Sequence, residues 1–161
     1  MKKSISFKFK PGNDEIEKIN QKGCAFLKAN GVSSDAVQIQ RMILWGLITR
    51  GKDLDNLPPT KTEMTIYLLI ENNQVTVEVR KQVGESSLIK LNELDKTIQL
   101  IRGGQNPFEP YIGCPQASTK LNNKIANDVK LAQIAYETGA VIDFYVNEDN
   151  ILNLSAVRSL V

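Results

Sequence analysis

Residues 4–10 alternate strictly between polar and apolar: Ser4, Ile5, Ser6, Phe7, Lys8, Phe9, Lys10. Pro11 and Gly12 stop the pattern. A period of two belongs to a strand with one buried face. It predicts a β-strand whose isoleucine and phenylalanines are covered while its serines and lysines face outward. The period then changes. Asn13 or Asp14 can cap a helix, and Ile16, Ile19, Gly23, Phe26 and Leu27 recur at helical spacing as far as Asn30-Gly31. Ser33 is an N-cap for a second helix that carries Val37, Ile39, Ile43, Leu44, Leu47 and Ile48 and is closed by Gly51. Met42 to Ile48 is apolar almost all round, which predicts burial on most sides with Trp45 in the core.

A strand and two helices in about fifty residues bury too little surface to stand alone. The strand also lacks a partner within that unit. A symmetric dimer meets both needs: two strands pair antiparallel, and the helices of both chains enclose Ile5, Phe7 and Phe9. The open face then presents Ser4, Ser6, Lys8 and Lys10 twice. A two-stranded ribbon fits the major groove of B-DNA, where hydroxyls and lysines reach base edges. Ser33 and Ser34 open the second helix, where free N–H groups and the helix dipole suit a phosphate.

Charge is distributed in the same sense. Residues 1–62 hold eleven Lys/Arg against six Asp/Glu, and residues 63–161 hold nine against twelve. Lys2, Lys3, Lys8 and Lys10 lie in the first ten positions. A basic end on a mildly acidic body suits a polyanion.

The stretch SISFKFK, followed by GVSSDAVQIQRMILWGL at 31–47, resembles the ribbon-helix-helix (Arc/MetJ-type) DNA-binding family over the first third of the chain. The resemblance implies that alternate strand residues contact bases and that the second helix starts on a phosphate. Here those roles fall to Ser4, Ser6 and Lys8, with Lys10 and Lys3 peripheral, and to Ser33 and Ser34.

Asp53 to Thr62, with Pro58-Pro59, reads as a linker. Beyond it, Met64 to Ile70 and Val75 to Val83 are strand-like, with a turn near Asn72-Asn73. Ser86-Ser87 can cap a helix running to about Arg102. A Gly- and Pro-punctuated loop follows from Gly103 to Ala117. Lys120 to Glu137 is helical and ended by Gly139, Val141 to Val146 is a strand, and Ile151 to Leu154 is a further candidate strand. The expected class is therefore α+β: an N-terminal ribbon-helix-helix module at 1–52, a linker at 53–62, and a mixed α+β domain at 63–161. That domain would assemble dimers or bind an effector or protein partner.

Several chemistries are disfavoured. Histidine is absent, which removes the commonest general base and metal ligand. Cys24 and Cys114 are too few for a zinc site or a disulfide framework. Cys114, beside Gly113 and Pro115, has no histidine to activate it and reads as an inert thiol. Phe108 and Tyr111 read as packing residues of their own loop. Asp143, Glu148 and Asp149 flank a strand without the lysine spacing of a nuclease. Neither an enzyme, a metal nor a cofactor is expected. No apolar run reaches the roughly 20 residues of a membrane span, no secretory signal is expected, and with two cysteines and no disulfide framework a reducing cytoplasm is the expected compartment. The functional expectation is a homodimeric or higher-order binder of double-stranded DNA: a transcriptional repressor, a plasmid or mobile-element maintenance factor, or an antitoxin. The alternative is a protein-interaction or structural module. In it, the strand and helical hairpin pack on the rest of the same chain.

Overall fold

β1 (Lys3–Phe9) forms where the alternation places it: Ser4, Ser6 and Lys8 are exposed, Ile5 and Phe7 half-buried, and Phe9 buried. The structure, a computed structural model, describes residues 2–10, 12–52, 63–84, 88–103, 131 and 133–160. α1 (Asn13–Ala29) starts from Gly12, which takes the N-cap position in place of the expected Asn13 or Asp14. Asp14 and Glu15 still lie in the first turn, where the helix dipole favours them. At the other end, Val32 N–H donates to Leu27 O and Gly31 N–H to Lys28 O, each at 3.1 Å. Gly31 adopts φ +84°, a left-handed conformation that glycine takes without a steric penalty. Ser33 then caps α2 (Ser34–Lys52): its Oγ accepts the N–H of Ala36 at 3.3 Å. Gly51 does not close α2 but lies buried in its last turn. A Cβ there would come within 2.8 Å of Met64 Cε, so the glycine lets helix and sheet approach.

β2 (Met64–Glu71) and β3 (Gln74–Gln82) form a hairpin. Asn72 and Asn73 take φ 53° and 59°, the paired positive values of a tight two-residue turn. α3 (Leu88–Gly103) follows, then the helical residues 133–138 (α4), β4 (Val141–Val146) and β5 (Ile151–Ser159). β5 is longer than expected. The expected Ser86-Ser87 cap, the linker, the loop holding Phe108, Tyr111 and Cys114, and most of the helix from Lys120 fall outside the described residues. No helix among the described residues is long and apolar enough to cross a membrane.

The five strands form one antiparallel sheet in the order β1-β2-β3-β5-β4. Registers align the apolar positions. Phe7 lies opposite Ile66, Ile66 opposite Val79, Val79 opposite Leu154, and Leu154 opposite Phe144. That face is covered by helices. Gly23 of α1 sits where a Cβ would lie 3.1 Å from both Leu44 of α2 and Leu68 of β2. Ile66, Leu68, Val77, Val79, Leu154, Leu44 and Ile48 are fully enclosed, and each such side chain contributes about 1.5–3 kcal/mol. The core is one cluster from Phe9 to Ala156.

β1 pairs with β2 over its whole length, Lys3 opposite Ile70 through Phe9 opposite Met64. The ribbon-helix-helix expectation paired β1 with the same strand of a second chain. The intrachain pairing arises because β2 alternates in phase with β1, so their apolar sides fall on one face. This is the arrangement of the alternative described above, a strand and helical hairpin packed on the rest of the chain.

Candidate nucleic-acid interface

The side of the sheet opposite the helices carries most of the polar residues of β1 and β3, with Tyr67 and Leu69 of β2 and Val141 and Tyr145 of β4 on the same side. On β1 it presents Ser4, Ser6 and Lys8, with Lys2 and Lys10 continuing the same parity, and all five are exposed. Lys3 is exposed on the other parity. Beside them on β2 stand Leu69, Tyr67 and Thr65, opposite Ser4, Ser6 and Lys8 respectively. One strand further, Thr76, Glu78 and Arg80 lie opposite those three.

Arg80 ties this surface together. Its guanidinium lies 4.1 Å from the Tyr67 ring centroid, and its Nε donates to Glu78 Oε1 at 3.3 Å. Burial opposes its charged form, but the hydrogen bond and charge of Glu78, with Tyr67 and Tyr145 nearby, raise its pKa overall. Alternation along 75–83 puts Thr76, Glu78 and Arg80 on one strand face. It does not place them beside Ser6 and Lys8, because cross-strand neighbours are set by pairing between distant segments.

Ser33 and Ser34 are exposed at the start of α2. They belong to the helical layer, behind the sheet as seen from Ser4, Ser6 and Lys8. The structure therefore groups the three strand residues and leaves the two helix-cap serines apart from them.

The two ends of the sheet differ. β1 has β2 on one edge and no strand on the other among the described residues. β4 is the opposite end strand, and there Asp143 Oδ1 accepts the N–H of Phe144 at 2.8 Å. A self-capped N–H is one less donor for an added strand. Glu148 and Asp149 lie in the β4–β5 turn, where Asn147 Oδ1 accepts the N–H of Asp149 and of Ile151. Among the described residues no group of three or more His, Cys, Asp or Glu is placed to hold a metal ion. Cys24 is half-buried; burial chiefly raises its pKa, and its thiol faces Asn20 Oδ1 at 3.9 Å.

No protein-family model matches the chain, and no curated protein matches it significantly.

Proposed function

We propose that the chain is a DNA-binding protein that acts as a homodimer, with β1 of two copies side by side against the major groove. The observation that carries this reading is an edge of β1 that has no strand beside it among the described residues, next to an outward stripe of Ser4, Ser6 and Lys8. A strand has two edges, and β2 occupies one. Full antiparallel overlap across the other sets Ser6 opposite the partner's Ser6, Ser4 opposite the partner's Lys8, and Ile5 opposite the partner's Phe7. Within the strands no lysine then faces a lysine; on the covered side Ile5 and Phe7 pair, while Phe9 lies opposite the partner's Lys3. Like charge gathers only past the strand ends, at Lys2 and Lys10, where a polyanion would neutralise it.

The sheet also shifts the phosphate role. Strands are spaced about 4.8 Å apart, so β2 and β3 would stand roughly 7 and 12 Å from the two-fold axis. The major groove is about 12 Å wide, so those strands face its flanking backbones. Thr65, Tyr67 and Arg80, rather than Ser33 and Ser34, are then the phosphate partners, and Ser4, Ser6 and Lys8 read bases. Regulation by occupancy of a DNA site follows, as in a repressor or maintenance factor.

Fluorescence anisotropy with duplex DNA across a salt series, beside a molar-mass measurement, tests this. A dimer that binds is expected, with weaker binding in Lys8→Ala and a salt slope reduced by about 2 in Arg80→Ala, one phosphate contact per copy. A monomer without affinity at low salt contradicts it. The second reading, a protein-interaction module, is favoured by the β1–β2 pairing and the shared core. It predicts no change in nucleic-acid behaviour on substituting Lys8.

A further inference from the structure

α2 was expected to bury Trp45, yet this side chain is 44% exposed and its neighbour Met42 is 46% exposed. Both border a cavity of about 490 Å³ between α1, α2 and α4. Leu131 and Ile134 form the facing apolar wall, and Ile134 packs so closely on Gly46 that a Cβ there would collide with its Cδ1. The volume falls within the roughly 300–1,000 Å³ of small-molecule sites.

The lining charges decide what kind of molecule fits. Among the described residues of the lining, the two arginines Arg41 and Arg50 equal in number the two glutamates Glu17 and Glu137, so these residues carry no net charge. Arg41 Nη2 is bonded to Glu17 Oε1 at 2.9 Å across the α1–α2 seam. Glu137 accepts from the Gln133 amide at 3.1 Å. An ionic ligand that engaged Arg41 or Glu17 would have to break their pair. An aromatic one gains a ring face on Trp45 and a thioether edge at Met42.

We propose that this cavity binds an uncharged, planar aromatic small molecule, stacked on Trp45 and edged by Met42. The site joins the N-terminal helices to α4, so an occupant ties two distant parts of the chain together and stabilises the fold by mass action. The inference stands apart from the DNA reading and survives its failure.

Trp45 is the sole tryptophan, so its emission reports on the cavity alone. Titration with the uncharged dye N-phenylnaphthylamine is expected to quench Trp45 saturably, enhance dye emission and raise Tm. Met42→Glu changes an exposed position and should fold, as circular dichroism would verify, while weakening the dye at least about tenfold. Trp45→Phe keeps a stacking ring and should bind within a few-fold by dye emission. Tyr145→Ala, on the other side of the sheet, should bind like the parent. Absence of saturable quenching up to about 1 mM dye overturns the proposal. Parent-like binding by Met42→Glu, or tighter binding of the anionic anilinonaphthalene sulfonate than of the neutral dye, also overturns it.

Discussion

Lys81 occupies a position on the covered side of β3 where the alternation calls for an apolar residue, and it is 2% exposed. Its Nζ donates to Gly51 O at 2.9 Å, in the last turn of α2, where the helix dipole favours a cation. The lysine thus fastens the helix end to the sheet. Lys81→Met keeps the aliphatic length but removes this donor from a buried carbonyl. Urea denaturation should show a loss of about 1–3 kcal/mol; unchanged stability would mean that the bond contributes nothing net. Single-residue features were legible to the extent that their physics is local. Ser33 as a cap and Gly31 as a left-handed terminator depend only on adjacent backbone. Gly51 was misread as a terminator because its reason for being glycine is Met64, a residue across the linker. Trp45 was misread because an apolar helix implies a full surround, and one side of α2 borders a cavity.

At the level of elements, the two end strands carry opposite surfaces. β1 is lined by lysines, whereas β4 exposes Val141, Tyr145 and Val146 at 60%, 58% and 38%. An apolar edge of this kind invites pairing, and the capped N–H of Phe144 limits it. Asp143→Ala removes both the cap and a charge. Sedimentation should then show concentration-dependent self-association absent from the parent, whereas an unchanged mass would show that Asp143 does not guard the edge. Most described strands and helices were visible from period and punctuation. The length of β5 was not: Ser155, Arg158 and Ser159 interrupt its apolar run, yet they are held by pairing with β3. The partner of β1 was hidden for the same reason. Pairing joins segments that are distant along the chain, and period alone does not name the second strand.

Across the whole molecule, a single core unites the N-terminal strand and helical hairpin with the four later strands. Removing the hairpin would strip α1 and α2 from Leu68, Met64 and Val79, residues that are fully buried. Unfolding should therefore be one cooperative event. Trp45 emission, which reports on α2, and far-ultraviolet circular dichroism, which reports on all elements, should give the same urea midpoint. Two separated transitions would mean that residues 1–52 fold as an independent unit.

The account rests on two copies meeting at β1 about Ser6, and a single-thiol crosslink tests that most directly. In a background with Cys24→Ser and Cys114→Ser, a Ser6→Cys variant is oxidised with and without duplex DNA. Directly opposed residues of antiparallel strands lie about 4.5–5.5 Å apart between Cα atoms, within the roughly 4.4–6.8 Å that a disulfide spans. Ser4→Cys is the control, because its two thiols would stand about 13 Å apart along the ribbon. The predicted result is a covalent dimer from Ser6→Cys, enhanced by DNA, and none from Ser4→Cys. Absence of a dimer from Ser6→Cys, or equal yields from both variants, would contradict the β1 interface.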